Sequence, residues 1–244
     1  DNVESRGLGD VYKRQNFVCV ILNIETSSKN CSVSISENGK TIGLKEQNYD
    51  EYSHSKSLHV FINEIFKETN LSPEQLSAVA ISDGPGSYTG LRIGVSAAKG
   101  ICVALNLPLI AIDTMQILAR KIKCAEGYII SAMDARRDEI YYSIFKSNKC
   151  MTPIKVGKTD CMIMNSNSFS DYYKKSTVNF IGNCNEKIKK FLNHENIIYS
   201  NFILPSANEM GVISFSRFRK SEFEDVSDFQ PKYLKEFGGK KINI

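Results

Sequence analysis

The residues best placed to do chemistry lie in a glycine-rich segment, residues 82–94, which reads SDGPGSYTGLRIG. A Gly-Pro-Gly turn between an apolar run and a helical pattern predicts a sharp change of direction, since glycine accepts positive φ and proline fixes its own φ. The first N–H groups of a helix are unpaired, so the turn could hold an anion, with Gly84, Gly86, Ser87 and Thr89 as candidate contacts. The segment matches neither the P-loop nor the G-x-G-x-x-G pattern, so the sequence alone does not establish a phosphate site.

Histidine and serine residues form no recognisable catalytic pattern. His54 and His59 are five residues apart, whereas metal-binding pairs on a helix usually lie three or four apart so that both face one way. His194 lies far along the chain in a polar stretch, and no G-x-S-x-G elbow is present. The residues therefore predict no catalytic group.

Small side chains line the helix predicted after the glycine turn, at about 89–105. Each glycine in a helix interior costs about 1 kcal/mol relative to alanine, which indicates that another backbone comes close. The approaching element could be the chain's own sheet or a helix of a partner, and the alternative of a helix buried wholly within one domain stays open. The small residues are Gly90, Gly94, Ala97, Ala98 and Gly100.

Around this segment the sequence predicts a mixed α/β fold. Strands are expected at 17–24, 31–36, 41–45, 78–82, 108–112, 128–133 and 139–146, with short strands at 180–182 and 197–199. Helices are expected at 54–69, 89–105, 114–124, 186–192 and 207–219, and a helical turn follows a capping box at 72–75. Asn38-Gly39 predicts a hairpin between the second and third strands.

The composition excludes several classes of protein. The chain has 244 residues, of which 42% are apolar and 24% charged, typical of a globular protein. Lys plus Arg number 31 and Asp plus Glu 27, and this net charge of +4 permits contact with nucleic acid without arguing for it. No apolar run reaches 18 residues, so no membrane span is expected. Seven scattered cysteines without a C-x-x-C pair predict reduced thiols, no zinc site and a cytoplasmic location.

A long contiguous stretch resembles one known family. GPGSYTGLRIGVSAAKG followed by ALNLPLIAIDT is similar to the signature of the TsaB (YeaZ) family, as are NIETS, YSHSKSLH, MDARRDEIY and the late PKYL. The resemblance covers most of residues 16–146, with an echo at 231–234. It implies a degenerate two-lobed fold of the actin-like, sugar-kinase-like ATPase class (ASKHA, RNase H-like).

The resemblance also implies a function. TsaB proteins are non-catalytic subunits of the machinery that makes threonylcarbamoyladenosine next to the tRNA anticodon. They pair with the catalytic paralogue TsaD, work with the ATPase TsaE, and meet tRNA through the complex. The alternative is a stand-alone nucleotide-hydrolysing or peptidase-like enzyme of the same fold.

Three departures from the active members of this fold bear on that choice. Thr114 and Leu118 stand where TsaD carries metal-binding histidines, so neither a metal nor a cofactor is expected. Arg136 and Arg137 occupy a turn that is glycine-rich in the ATPases, where they could grip phosphate or form a solvated or partner-facing patch. Glu25 replaces the usual aspartate, and a hydrogen bond to the backbone of the next residues is favoured over a role with Mg²⁺.

The resemblance and the small-residue helix together predict a partner surface. Helices 54–69 and 90–105 are expected to pack against TsaD as a four-helix arrangement, or against a second copy of the chain when TsaD is absent. A bulky charged residue in place of Ala97 or Ala98 is expected to block association. The predicted contacts are Leu58, Phe61, Ile62, Ile65, Gly90, Gly94, Ala97, Ala98 and Ile101.

The expected organisation has three parts. Residues 1–15 read either as adapter or upstream sequence or as a disordered tail, and are expected to add nothing to the fold. Residues 16–113 form the first lobe with the glycine turn, and residues 114–244 a smaller second lobe. The segment at about 206–244 is expected to pack back on the first lobe.

Overall fold

The computed structural model describes residues 18–48, 54–123, 126–148 and 152–234. The first of its two five-stranded sheets has the order β3-β2-β1-β4-β5. In it β1, β2 and β3 are antiparallel, while β4 and β5 run parallel to β1. The strands are β1 (Val20–Glu25), β2 (Asn30–Glu37), β3 (Lys40–Asn48), β4 (Ala78–Gly84) and β5 (Leu109–Asp113).

The second sheet repeats this plan, with the order β10-β9-β6-β7-β8. Again three strands form an antiparallel meander, β6 to β8, and two further strands, β9 and β10, lie parallel to the first. This repeated topology confirms the expected two-lobed α/β class. The strands are β6 (Gly127–Asp134), β7 (Glu139–Ser147), β8 (Ile154–Ile163), β9 (Val178–Ile181) and β10 (Ile197–Tyr199).

Helices cover both faces of the first sheet. On one face α1 (His54–Thr69) and α2 (Tyr88–Leu105) share a core with Leu22, Ile24 and Ile81. On the other face α6 (Met210–Arg219) packs on the sheet through Met210 and Ile213. The shorter helices are α3 (Thr114–Ala119), α4 (Ser170–Tyr173) and α5 (Asn185–Lys189), and 3₁₀ turns occur at Pro73–Gln75 and Ala207–Glu209.

Local sequence signals set several of these boundaries. Asn38 and Gly39 both have positive φ and form the β2–β3 turn, as predicted. The Ser72 capping box is present at the first 3₁₀ turn. Asn106 ends α2 in the left-handed conformation, and Asp113 caps α3 by accepting a hydrogen bond from the Met115 N–H.

The structure corrects other boundaries and adds one strand. The helix predicted at 114–124 ends at Ala119, and that at 186–192 ends at Lys189. β8 was not predicted, because its lysines, glycine and aspartate interrupt any apolar alternation. Among the described strands it pairs through one edge, with β7. The tail at 1–15 lies outside the described residues.

Residues 206–219 lie against the first sheet although they follow the second. The Ser34 hydroxyl donates to the Ala207 carbonyl at 2.8 Å, and α6 packs on β1 and β5. The boundary at residue 113 stays a prediction. Within the described ranges, no helix is both long enough and apolar enough to cross a membrane.

Candidate functional site

The glycine turn is filled by the chain's own backbone. A β carbon on Gly86 would lie 2.3 Å from the Ser27 carbonyl oxygen, and one on Gly84 would lie 2.8 Å from the Lys232 carbonyl oxygen. The Ser87 N–H donates to the same Ser27 oxygen at 2.6 Å, and the Ser87 hydroxyl caps α2 by accepting from the Gly90 N–H. The glycines therefore serve close packing, and of the four anion candidates Thr89 alone is exposed. Anion binding stays a prediction that these contacts do not support.

The small residues of α2 serve the same packing. A β carbon on Gly90 would lie 2.2 Å from the Thr26 carbonyl oxygen, and one on Gly94 would lie 2.2 Å from Thr26 Oγ1. Ala98 is fully buried and Ala97 is 9% exposed. The close neighbour inferred from these residues is thus the β1–β2 turn of the same lobe.

The rest of the predicted partner surface is also partly internal. Leu58 and Ile65 are fully buried in the core beneath α1. Phe61, Ile62 and Ile101 are half-buried and pack against that core. The nine predicted contacts therefore mark the inner side of α1 and α2 more than their outer side.

A different stripe of α2 faces outward, which we call the α2 outer face: Ser96, Gly100 and Val103. These residues are four and three positions apart, so they share one side of the helix. Val103 is 74% exposed, and a β carbon on Gly100 would meet nothing within 4 Å. Helical periodicity identifies which residues share a face, but it does not say which face the sheet covers. This stripe therefore could not be identified from the sequence.

Three carboxylates lie at the carboxyl ends of the parallel strands β1, β4 and β5. Glu25 is fully buried, and its Oε1 accepts from the Ser27 N–H at 2.6 Å and from the Ser27 hydroxyl. The favoured interpretation of Glu25 as a strand-end acid bound to the following backbone is confirmed. Burial raises the pKa of Glu25 to about 7, although the Ser27 bonds oppose the rise.

The other two carboxylates are held by lysines of this chain. Lys232 Nζ lies 2.6 Å from Oδ2 of the fully buried Asp83. Burial raises the pKa of Asp83, and the Lys232 ammonium opposes that rise. Asp113 accepts from the Met115 N–H at 2.7 Å, from the Thr159 hydroxyl at 2.8 Å and from Lys155. Each carboxylate thus binds groups of this chain through at least one oxygen, while Glu25 Oε2 and Asp83 Oδ1 are buried without a hydrogen-bond partner among the described residues.

The two positions at which the resemblance to TsaD implies metal-binding histidines are buried. Thr114 and Leu118 both have zero exposure. His54 is buried with its Nε2 at 2.7 Å from the Ser28 carbonyl oxygen, while His59 is exposed and His194 packs beside the Tyr173 ring. In the part of the chain that the structure describes, no three His, Cys, Asp or Glu side chains come together as a metal site.

The Arg136–Arg137 turn is closed by a lysine. Both arginines have positive φ, and the Arg136 N–H donates to Asp134 Oδ1 at 3.1 Å. Lys187 Nζ donates to Asp134 Oδ1 at 2.5 Å and to the Arg137 carbonyl at 2.6 Å. Both arginine side chains are exposed, which fits a solvated or partner-facing patch as well as a phosphate contact.

Five of the seven cysteines fall in the described ranges, and all five are free thiols. Burial raises the pKa of Cys31 and of Cys184 to about 12, so these thiols are unreactive at neutral pH. Neither therefore offers a nucleophile for catalysis.

Comparison with known families identifies relatives of this chain. The model of the family described as "TsaD: tRNA N6-adenosine threonylcarbamoyltransferase" matches residues 50–241. The tRNA threonylcarbamoyladenosine biosynthesis protein TsaB of Buchnera aphidicola subsp. Acyrthosiphon pisum is 32% identical over 132 residues, which cover 53% of this chain and 59% of that protein. TsaB of Haemophilus influenzae is 32% identical over 126 residues, covering 50% of this chain and 52% of that protein. The chain therefore spans somewhat over half the length of these relatives.

Solved structures share the fold. A Pseudomonas aeruginosa protein described as uncharacterized with similarity to peptidase YEAZ superposes with a TM-score of 0.76 at 19% identity, covering 89% of this chain and 100% of that one. YeaZ from Pseudomonas aeruginosa gives a TM-score of 0.74 at 20% identity, covering 88% and 100%. At such identities the similarity is evidence for the fold alone.

Proposed function

The chain belongs to the TsaB branch of the TsaD family, and from this premise we propose that it is a non-catalytic subunit needed for threonylcarbamoyl transfer to the tRNA adenosine next to the anticodon. In this role it dimerises with TsaD and works with TsaE. It acts in the cytoplasm, and tRNA reaches it through the complex. Without TsaD, the same surface pairs two copies of the chain.

One observation carries the non-catalytic part of the proposal: all three strand-end carboxylates are used to hold the fold. Glu25 binds the turn that follows it, Asp83 binds Lys232, and Asp113 caps α3 and binds Lys155. A carboxylate that handles Mg²⁺ or activates water needs oxygen atoms that a ligand can reach. Among the described residues Glu25 Oε2 and Asp83 Oδ1 have no hydrogen-bond partner, but both atoms are buried. Each carboxylate is also bound by its own chain, which supports a binding role.

The α2 outer face supports the partner role. Ser96, Gly100 and Val103 are exposed, and a β carbon on Gly100 would meet nothing within 4 Å, so a partner helix can approach the α2 backbone closely. Phe61 and Ile62 of α1 are half-buried and pack against the core that α1 shares with α2. The predicted contact helices are therefore retained, with the contact residues moved to their outer side.

Reconstitution tests the proposal. TsaD and TsaE, with the chain present or omitted, are incubated with tRNA, ATP and an activated threonylcarbamoyl donor, and threonylcarbamoyladenosine is measured after digestion. The product is expected only when the chain is present, and Glu25→Gln, which keeps the shape of that side chain, is expected to support full product formation. Product formation without the chain, or its loss in Glu25→Gln with TsaD binding intact, would contradict the proposal.

The same preparation tests the alternative of a stand-alone enzyme. The isolated chain is expected to hydrolyse neither ATP nor a peptide substrate above background. Multiple turnovers that disappear in Glu25→Gln would establish the alternative in its place.

A further inference from the structure

The end of the described chain runs along α2 as a strap, which we define as residues 224–234. At its start the Glu224 N–H donates to the Leu109 carbonyl at 2.9 Å, just beyond the end of α2. In the middle, Lys99 Nζ donates to the carbonyls of Ser227 at 2.9 Å and Phe229 at 3.2 Å. The strap therefore follows α2 from its C-terminal end towards its N-terminal end.

At the N-terminal end of α2 the strap is attached by rings and a guanidinium. The rings of Tyr88 and Tyr233 have centroids 4.7 Å apart, and the Arg92 guanidinium lies 4.2 Å from the Tyr88 ring centroid. Arg92 Nε also donates to the Tyr233 hydroxyl at 3.3 Å. Tyr88 and Arg92 belong to the first two turns of α2, so the strap contacts the helix where it leaves the glycine turn.

A third attachment joins Lys232 to Asp83. The Lys232 side chain is 64% exposed, whereas that of Asp83 is 0% exposed, and their ion pair spans 2.6 Å. The backbone adds a second bond, from the Lys232 N–H to the Asp83 carbonyl at 2.7 Å. The Lys232 carbonyl oxygen also lies directly over Gly84, where a β carbon would come within 2.8 Å. One strap residue therefore binds a buried charge and covers the glycine turn.

The two residues of this ion pair differ in exposure, because Asp83 is buried and Lys232 is exposed. This difference suits the pair to holding the strap in place. A buried carboxylate without a counter-ion is costly, so Asp83 favours every arrangement that keeps an ammonium beside it. The Lys232 side chain stays largely exposed in the pair, and the segment that carries it packs through Val226 and Phe229 against the core that α2 shares with the sheet. Without the Lys232 ammonium, the strap would still be held by its backbone bonds, the Lys99 bonds and the half-buried Tyr88–Tyr233 contact, none of which places a cation on Asp83.

We propose that the C-terminal strap is a latch for α2, fastened by Lys232 on Asp83. Its docking holds the glycine turn and the first turns of α2 in the position that TsaD binds. The TsaD part rests on the proposed function, whereas the effect on α2 does not. Asp83 and Lys232 act as positioning residues, because neither belongs to the α2 outer face.

Amide hydrogen exchange on the full chain tests the latch. Lys232→Met keeps the aliphatic stem and removes the ammonium, and Lys232→Arg restores a cation. Lys220→Met is the matched control, since Lys220 is exposed and forms a long ion pair with Glu222 at 3.8 Å. The double variant Asp83→Asn/Lys232→Met removes the pair without leaving a buried charge. It tests the role of the ion pair if Lys232→Met alone does not fold.

The expected result is about tenfold faster exchange in the strap and in the first turns of α2, for Lys232→Met and the double variant. Lys232→Arg and Lys220→Met are expected to exchange like the parent chain. TsaD affinity, measured by titration calorimetry, is expected to fall about tenfold in the same two variants.

Unchanged exchange in the strap would overturn the latch. Faster exchange confined to the strap, with α2 protection and TsaD affinity unchanged, would overturn the positioning role. If the parent chain does not bind TsaD at all, the proposed function fails, and protection of α2 alone decides the latch.

Discussion

The hydroxyl of Thr26 occupies the space that a β carbon on Gly94 would need. The two atoms would lie 2.2 Å apart, and the hydroxyl is fixed by donating to the Gly90 carbonyl at 2.8 Å. Glycine at position 94 is therefore required by the approach of α2 to the end of β1, and its cost to helix stability is offset by that packing.

This contact predicts opposite effects for two glycines of one helix. Gly94→Ala is expected to lower the free energy of unfolding by about 1–3 kcal/mol, because Thr26 must move. Gly100→Ala is expected to raise it by about 0.5–1 kcal/mol, because its β carbon meets open space and alanine favours the helix. Denaturant unfolding measures both, and changes of the same sign would refute this account of the packing.

Glu25 predicts a pH dependence of stability. Its pKa is raised by burial from 4.5 to about 7, so the folded chain holds a proton that the unfolded chain releases between these values. The stability contributed by this group is fully present below pH 4.5 and is lost as the pH rises through 7, a fall of roughly 3 kcal/mol.

The matched variant for that test is Glu25→Gln, which cannot titrate. Its free energy of unfolding relative to the parent chain is expected to rise between pH 5 and pH 7 and to level off above. Equal pH profiles for the two proteins would show that Glu25 is not protonated in the folded state.

Much of the fold was predictable because its signals are local. Asn38-Gly39, the Ser72 capping box and the apolar stripe of α1 each act within a few residues, and each produced the predicted element. The strand β8 was not predictable, because an edge strand needs no apolar alternation when one side is solvated. Its place is set by pairing with β7, which is a long-range property.

The candidate site was less predictable for a related reason. The sequence indicated that α2 approaches another backbone, but both Thr26 and a partner helix satisfy that pattern. Lys232 is 149 residues from Asp83, and no spacing rule joins them. A small residue can contact a partner only where it is exposed. Its exposure depends on how the whole lobe packs, which no local sequence pattern gives.

Asp113 joins the two lobes, and Lys155 of β8 is its cation. Lys155→Met is expected to lower the free energy of unfolding by about 1 kcal/mol, because Asp113 keeps its bonds to Met115 and Thr159 and the pair is partly solvated. The control is Lys158→Met, an exposed lysine of the same strand, for which a change under about 0.5 kcal/mol is expected. Equal effects in thermal or denaturant unfolding would show that the contact between the lobes does not stabilise the fold.

The partner surface requires a test that leaves the lobe intact. Charged residues in place of Ala97 or Ala98, which the sequence suggested, would be forced into the core, so a loss of association would report unfolding. Val103 is 74% exposed on the α2 outer face, and Val212 is 46% exposed on α6, across the sheet. Arginine at either position can remain in solvent in the free chain.

Val103→Arg is therefore expected to unfold like the parent chain and to bind TsaD about 100-fold more weakly, because an unpaired arginine inside an interface costs several kcal/mol. Val212→Arg is expected to bind TsaD with unchanged affinity, since α6 lies on the opposite face of the first sheet. Calorimetric titration with TsaD measures both variants, and gel filtration without TsaD reports whether the same substitution disrupts a homodimer. If Val103→Arg binds as tightly as the parent chain, the α2 outer face is not the interface. If Val212→Arg alone weakens binding, TsaD contacts the α6 side of the lobe.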